Sequence, residues 1–386
     1  MGQFILISIH GLFLFNHLQM PRKKVLIISM TAGSGHIMAA KSILDYALSY
    51  VPDMHVEHFD FSKITDPITR FMDRHSYEIL IKTVPSVWGW FYNTTNKSRL
   101  AFFVSEVVAS LQLFSQHDIV NLLKEKSPDV IIFTNPVPAR LFIKKINKLF
   151  GNNTKTAVVV TDYHVHRLYK MPTLDYYFVG HGEVKYELME MGVPKEKIIV
   201  TGIPVNPRCY ILQDVPELKS KYKIKNNLPV VLFLTSSLKK SIVFRTINVL
   251  SDLKDKINVV VITGGNKGLH DKIKKDYDNF LVVNWTDVMD EYMKISDVVI
   301  GKPGGLISSE CMAIKKPLII PGMIPGVEYF NAKYMEKNRF GITAFNKKDL
   351  ISALDKIIVS KSFHLSLNEI YKENPSKIIV EQVKTF

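Results

Sequence analysis

Cysteine is scarce in this chain: Cys209 and Cys311 are the only two in 386 residues. They lie far apart and join no Cys-x-x-Cys or Cys/His cluster, so neither a disulfide framework nor a structural zinc site is expected, and a reducing compartment fits. No RNP, helix-turn-helix or zinc-finger spacing occurs, and the lysines are spread along the chain instead of gathered in one arm. A base-reading element is therefore missing, and nucleic acid is not an expected partner. A long apolar run is missing too. Residues 1–20 are apolar and aromatic, but they carry His10, Asn16 and His17 and lack the basic start and small-residue cleavage site of a signal peptide. They fall short of the roughly 20 uninterrupted apolar residues of a membrane span. Because Met20 is followed at once by Pro21-Arg22-Lys23-Lys24 and a strand pattern, 1–20 reads as an extension ahead of the folded chain.

What is present points to two ordinary soluble domains. The length exceeds what one hydrophobic core usually supports. A composition of 47% hydrophobic and 22% charged residues argues against disorder. The formal charge of +14 favours polyanions. With base reading set aside, these are anionic lipid head groups or phosphorylated small molecules.

From Val25 the pattern alternates strand and helix. Val25 to Met30 is a continuous apolar run, after which Ala40, Ile43, Leu44, Ala47 and Leu48 recur at helical spacing. Further strands read at 130–134, 156–161, 176–179 and 198–201, and a second series at 230–235, 258–263, 280–283, 298–301 and 318–320. Strands alternating with helices predict parallel sheets covered on both faces. The predicted architecture is α/β, two Rossmann-like doubly wound domains facing across a cleft. Its segments are an N-terminal domain at 21–205, a Pro- and Lys-rich linker at 206–228, a C-terminal domain at 229–362, and terminal helices at 363–386. Asn374-Pro375 is expected to break the last helical region and redirect it onto the first domain.

The stretch 71–114 departs from this rhythm. Trp88, Trp90, Phe91 and Tyr92 cluster there, flanked by Arg70, Arg74, Lys97 and Arg99, a composition suited to the head-group zone of a bilayer. Ordinary core packing is the competing reading.

Several motifs fall at predicted strand ends, where open α/β sheets gather their ligand sites. Thr31-Ala32-Gly33-Ser34-Gly35-His36 supplies Gly-x-Gly before a helix, but Met38 stands where a dinucleotide fingerprint needs a third small residue. His36 sits at a helix start, where the positive dipole end keeps an imidazole neutral and able to take a proton. The alternative is a capping or packing histidine. Thr161-Asp162 follows another strand, with His164 and His166 behind it. Asp162 is a candidate to orient a histidine or share base duty, and no ligand set for a metal stands nearby. Asp276-Tyr277-Asp278 resembles a metal-binding Asp-x-Asp but precedes a strand, as a solvated turn would.

The strongest signal is Gly301-Lys302-Pro303-Gly304-Gly305-Leu306-Ile307-Ser308-Ser309-Glu310. Its glycines admit a phosphate close to backbone, the following helix points its dipole at the anion, and Glu310 is placed to bond a ribose diol. Pro325-Gly326 with Glu328 and Asn331 forms a further loop at a strand end.

Gly33-Ser34-Gly35-His36, Thr161-Asp162 with His166, Thr201-Gly202-Ile203-Pro204, Lys302-Pro303-Gly304-Gly305 with Glu310, and Pro325-Gly326 with Glu328 and Asn331 together resemble the monogalactosyldiacylglycerol synthase and processive diacylglycerol glucosyltransferase family. The resemblance runs in order from Val25 to the C-terminus. It implies a GT-B fold of glycosyltransferase family 28, with a UDP-sugar (UDP-glucose or UDP-galactose) as donor in the C-terminal domain. It further implies diacylglycerol as acceptor, inversion at the anomeric carbon, no cofactor, no obligatory metal, and a cytoplasmic enzyme peripheral on the anionic inner face of the cell membrane.

By the resemblance His36 matches the catalytic histidine, with Asp162 beside it. The expected donor site comprises Lys302, Gly304, Gly305, Ser308, Glu310, Glu328 and Asn331, together with Trp285 and Thr286. Trp88, Trp90, Phe91, Tyr92 and His166 are the expected acceptor and membrane residues. Two positions depart from the family: its glycine-rich loop reads Thr235-Ser236-Ser237-Leu238-Lys239-Lys240, and its Pro-Gly-Gln-Glu reads Pro325-Gly326-Val327-Glu328. The rivals are an N-acetylglucosaminyltransferase for another lipid-linked acceptor, a UDP-sugar epimerase on the same fold, and a non-catalytic nucleotide-sugar-binding protein.

Overall fold

The computed structural model of the protein describes residues 22–30, 34–63, 85–98, 116–225, 227–366 and 373–386. Among them the first half runs β1 (Lys23–Ser29), α1 (Ser34–Tyr50), β2 (Met54–Asp60), α2 (Pro85–Lys97), α3 (Gln116–Lys126), β3 (Val130–Phe133), α4 (Pro136–Phe150), β4 (Lys155–Val159), β5 (Tyr176–Val179), α5 (Gly182–Glu190) and β6 (Ile198–Val200). After α6 (Val215–Lys221) come β7 (Val230–Leu234), α7 (Lys240–Asp252), β8 (Asn258–Ile262), α8 (Lys267–Asp276), β9 (Leu281–Val283), α9 (Met289–Ile295) and β10 (Val298–Ile300). The chain then continues through α10 (Gly305–Ile314), β11 (Leu318–Ile320), α11 (Val327–Lys337), β12 (Gly341–Thr343), α12 (Lys347–Leu354) and α13 (Pro375–Lys384).

The strands form two six-stranded parallel sheets, ordered β2-β1-β3-β4-β5-β6 and β12-β11-β10-β7-β8-β9. In each the chain first builds outward on one side and then returns to the other, so the strand order reverses between β1 and β3 and between β7 and β10. Loops diverge at such reversals and leave a crevice at the carboxyl ends of the strands, where ligands bind. Both sheets are buried on two faces, which explains the continuous apolar runs. Val25 and Ile27 of β1 enter one core while Leu26 and Ile28 enter the opposite one. In β7, Val231 and Phe233 face one way and Val230, Leu232 and Leu234 the other.

Strands β2 and β12 escape the apolar-run criterion. β2 is an edge strand that alternates buried Met54 and Val56 with exposed His55 and half-buried Glu57, and β12 is only Gly-Ile-Thr. Asn374-Pro375 likewise does not end a helix but starts one. The Asn374 side chain accepts the Ser376 N–H at 2.8 Å and Pro375 takes the first helical position, where its missing N–H costs nothing.

The resulting α13 packs on the first sheet. Ile379, Val380 and Val383 join Ala40, Ile43 and Ala47 of α1 in one core. Lys23 Nζ donates to the terminal carbonyls of Val383 and Lys384 at 3.1 and 2.9 Å, and the Phe386 ring stacks on Tyr176 at 3.9 Å. Replacing the fully buried Ile379 with Ala should therefore destabilise the first domain by about 2–4 kcal/mol, the usual cost of a core truncation. A lowered midpoint in urea unfolding is the expected result, and an unchanged midpoint would show that α13 contributes no core.

Candidate active site

α1 begins at the β1/β3 reversal and carries His36 in its first turn. Its ring Nδ1 lies 2.6 Å from the Thr134 carbonyl at the end of β3 and 3.0 Å from Thr161 Oγ1 beyond β4, while Thr134 Oγ1 donates to the His36 carbonyl at 2.9 Å. A carbonyl only accepts, so Nδ1 carries the hydrogen and Nε2 presents its lone pair. Burial lowers the His36 pKa below the usual histidine value, opposed in part by the Thr134 carbonyl. Near neutral pH the ring is a fixed, unprotonated base.

The sequence placed Asp162 beside this ring; the structure gives its carboxylate other partners. Asn331 of α11 donates to Asp162 Oδ1 at 2.9 Å and accepts the Tyr163 N–H at 2.9 Å, so both ends of its amide are occupied by the opposite domain. A Cβ on Gly305, at the start of α10, would stand 3.0 Å from Asp162 Oδ1, so the carboxylate lies against that helix start. Burial pushes the Asp162 pKa up to about 6, Asn331 and then Lys302 and Gly305 opposing and Glu328 reinforcing the rise. The physical reason for the misplacement is that the chain turns after Thr161, sending one side chain to His36 and the next across the cleft. The same turn continues into the second domain: Tyr163 stacks on Tyr334 at 4.1 Å and bonds Ser309 Oγ at 2.6 Å, and His164 stacks on Phe330 at 3.8 Å.

On the facing side, α10 starts at the β7/β10 reversal with Gly304 as its N-cap and no side-chain cap. A Cβ on Gly305 would stand 1.9 Å from the Thr161 carbonyl oxygen, so only glycine permits this approach; a Cβ on Gly304 would meet nothing within 4 Å. Ser308 Oγ is buried without a hydrogen-bond partner among the described residues. Glu310 is 6% exposed and has neither a hydrogen bond nor an ion pair among the described residues. Burial, reinforced by Asp290, pushes its pKa up to about 8. Buried polar groups are normally bonded, so these two are suited to a ligand's hydroxyls or phosphate.

Lys302 and Glu328, both assigned to the donor by sequence, are joined to each other at 2.8 Å, with Glu328 Oε2 also accepting the Ile324 N–H at 2.8 Å. Trp285 is 62% exposed, whereas the Thr286 hydroxyl is engaged by the Val288 N–H at 3.1 Å. In the loop that lacks the family glycines, Ser237 adopts a left-handed φ of 61°, and Lys239 and Lys240 are exposed.

The aromatic helix α2 lies across the mouth of the cleft. Val87 and Trp90 are exposed, while Gly89 and Tyr92 press on Pro325 and Gly326 of the second domain. The side chains of Trp88, Phe91 and Lys97, and Arg70, Arg74 and Arg99 altogether, lie outside the described residues. His166, expected to face the acceptor, instead braces α2 from beneath. It is 8% exposed, its Nε2 lies 3.2 Å from Thr95 Oγ1 and 3.3 Å from the Tyr92 carbonyl, its Nδ1 accepts the Leu168 N–H at 3.2 Å, and its ring packs 4.7 Å from that of Tyr92. Burial lowers its pKa to about 4, so it stays neutral there. Next to α2 a cavity of about 570 Å³ is walled by Asn93, Lys239, Ile242, Arg245, Tyr329 and Phe345, among others. Among the described residues no helix is long and apolar enough to cross a membrane, and no three His, Cys, Asp or Glu side chains form a metal-holding group.

Sequence reasoning missed Thr134, whose only signal was its place at a strand end on the reversal, and Tyr163 and Phe330, whose contacts join distant segments.

Two family models match the chain: monogalactosyldiacylglycerol (MGDG) synthase over residues 36–205 and the glycosyltransferase family 28 C-terminal domain over 235–383. The processive diacylglycerol beta-glucosyltransferase of Bacillus subtilis (strain 168) is 24% identical over 377 residues, covering 94% of this chain and 94% of the relative. That of Staphylococcus carnosus (strain TM300) is 27% identical over 346 residues, covering 87% and 84%. Among solved structures, Acinetobacter baumannii MurG matches 94% of this chain and 100% of its own with a TM-score of 0.57 at 11% identity. The UDP-bound MnaA of S. aureus matches 94% and 96% with a TM-score of 0.57 at 15% identity. These structures share the GT-B arrangement of two facing Rossmann-like domains.

The unbonded Glu310 makes a separate test of the site. Its pKa is raised above the ordinary carboxylate value, so folding takes up a proton between about pH 4.5 and 8, and its contribution to stability is lost as pH rises through that window. Glu310→Gln should therefore gain stability relative to the unaltered protein at pH 8.5 and show little gain at pH 4.5, measured by thermal unfolding. A gain independent of pH would mean that the carboxyl is not held neutral.

Proposed function

We propose that this chain, which belongs to the MGDG synthase family and ends in a glycosyltransferase family 28 C-terminal domain, transfers a hexose from a UDP-sugar to a diacylglycerol-type lipid at an anionic membrane surface, inverting the anomeric carbon. The observation that carries this reading is the placement of His36, its Nδ1 tied back by Thr134 and Thr161, on the opposite side of the cleft from the uncapped start of α10.

In this mechanism His36 Nε2 takes the proton of the acceptor hydroxyl as that oxygen bonds to the anomeric carbon. The bond from that carbon to the diphosphate oxygen breaks on the opposite face, and UDP leaves with the electron pair. Its charge is met by the N–H groups that open α10 and by Lys239 and Lys240, which stand where relatives of this type carry glycines. Glu310 binds the ribose diol. A carboxyl held neutral both donates and accepts there, which suits two adjacent hydroxyls. Trp285 offers an exposed ring to the uracil, and Val87 and Trp90 of α2 face the lipid surface. The reading needs no metal, since protein N–H groups and cations meet the diphosphate charge.

Four measurements test it. Incubation with radiolabelled UDP-glucose, UDP-galactose or UDP-N-acetylglucosamine and diacylglycerol in anionic liposomes should yield a glycolipid with glucose or galactose. UDP binding without product from any donor would mark a nucleotide-sugar-binding protein instead. His36→Ala should lower kcat by about 10²- to 10⁴-fold, the range for losing a general base, with UDP affinity unchanged. Because burial lowers the His36 pKa, the base stays unprotonated below the usual histidine range, and the acidic limb of kcat/KM should lie below pH 6.5. Turnover should persist in excess EDTA; its abolition would assign a metal to the donor's charge.

A further inference from the structure

The turn 161–163 touches both halves of the site, and one of its groups stands where the donor's charge would go. Gly305 opens α10, the helix assigned above to the diphosphate, and the Asp162 carboxylate lies beside it. The contact is close. A Cβ on Gly305 would be 3.0 Å from Asp162 Oδ1 as well as 1.9 Å from the Thr161 carbonyl oxygen. Asn331 holds the carboxylate in place from α11 at 2.9 Å and fixes the same turn through the Tyr163 N–H. Asn331 is fully buried, so this clasp is part of the packed domain contact.

A carboxylate and a diphosphate are both anions that seek helix N-terminal N–H groups. Side by side at one helix start they repel. We propose that Asp162 is an internal competitor for the diphosphate seat at Gly305, so that donor binding must displace its carboxylate. The inference rests on the reading of α10 as the diphosphate site. It gives Asp162 a role other than base, and it gives Asn331 the role of holding that competitor.

Displacement has a consequence at the other domain. Thr161, the neighbour of Asp162, holds His36 Nδ1 at 3.0 Å. When the diphosphate moves Asp162, the turn carrying Thr161 shifts with it, and the base is adjusted by the arrival of the donor. Asp162 is thus a positioning residue that links donor occupancy to the orientation of His36.

The test is UDP binding to the full chain by isothermal titration calorimetry at pH 7.5, in the unaltered protein and in Asp162→Asn, Asp162→Glu and Glu310→Ala. Removing a carboxylate from a helix N-terminus should tighten UDP about three- to tenfold in Asp162→Asn, in line with the size of such interactions. Asp162→Glu keeps the charge and should stay within about twofold of the unaltered protein by the same argument. UDP binding that Glu310→Ala abolishes but Asp162→Asn leaves unchanged or weakens would overturn the Asp162 assignment alone. No UDP binding in either the unaltered protein or Asp162→Asn would overturn the donor reading and this inference together. Circular dichroism of Asp162→Asn shows whether it folds; if it does not, Asn331→Ala, which releases the carboxylate from its holder, should tighten UDP, and unchanged affinity there would overturn the proposal.

Discussion

The cleft depends on one close approach: the Thr161 carbonyl stands where a side chain on Gly305 would be, 1.9 Å from the position of its Cβ. No other residue type fits at that distance, since backbone facing backbone has no flexible end to yield. The approach brings the first turn of α10 against the end of the first sheet, and the neighbouring contacts follow from it. Asn331 reaches Asp162, Tyr163 lies flat on Tyr334, and His164 lies on Phe330. The domains therefore meet through short-range contacts of fixed geometry. A ligand lodged between them works against a defined set of bonds rather than a loose hinge.

The strands were legible because a parallel sheet covered on both faces must be apolar at every position, and such runs stand out without any alignment. β5 and β11 coincide with their expected spans, and the other expected strands begin and end within two residues of theirs. β2 was hidden by the opposite circumstance: at an open edge half of its side chains meet water, so His55 and Glu57 interrupt the run. His36 stood out as a candidate because a histidine opening a helix after a strand is a local feature. Its holders were not, since Thr134 and Thr161 lie 98 and 125 residues away in sequence and no pattern at either position encodes that meeting. His166 shows the limit of reading by proximity in sequence. Three residues beyond the turn, the chain has already gone under α2, and the same imidazole that looked like a cleft residue is a buried brace.

The departures from the family pattern have physical content. Ser237 adopts a left-handed φ that glycine takes without strain, at a cost of about 1 kcal/mol for a residue with a Cβ. Gly264, opposite it, has a φ of 63° and leaves only 2.0 Å between a notional Cβ and Ser236 Oγ. The close packing thus falls at the facing strand end, while the loop after β7 carries hydroxyls and two lysines. If this loop meets the diphosphate as proposed, its lysines supply positive charge that salt screens.

Neighbouring residues on one short turn cannot be set independently. Thr161 bonds the His36 ring, whose tautomer the Thr134 carbonyl fixes, and Asp162 lies against the helix start that faces it across the cleft. Any free energy a bound anion spends in moving Asp162 is spent on the segment that also holds the ring, and by linkage the state of the ring bears equally on the anion's affinity. Catalysis by proton removal needs the base aligned only when a donor is present to accept the attack. On the proposed mechanism, a base fastened to the same turn as the donor's contact point meets that need with no separate switch.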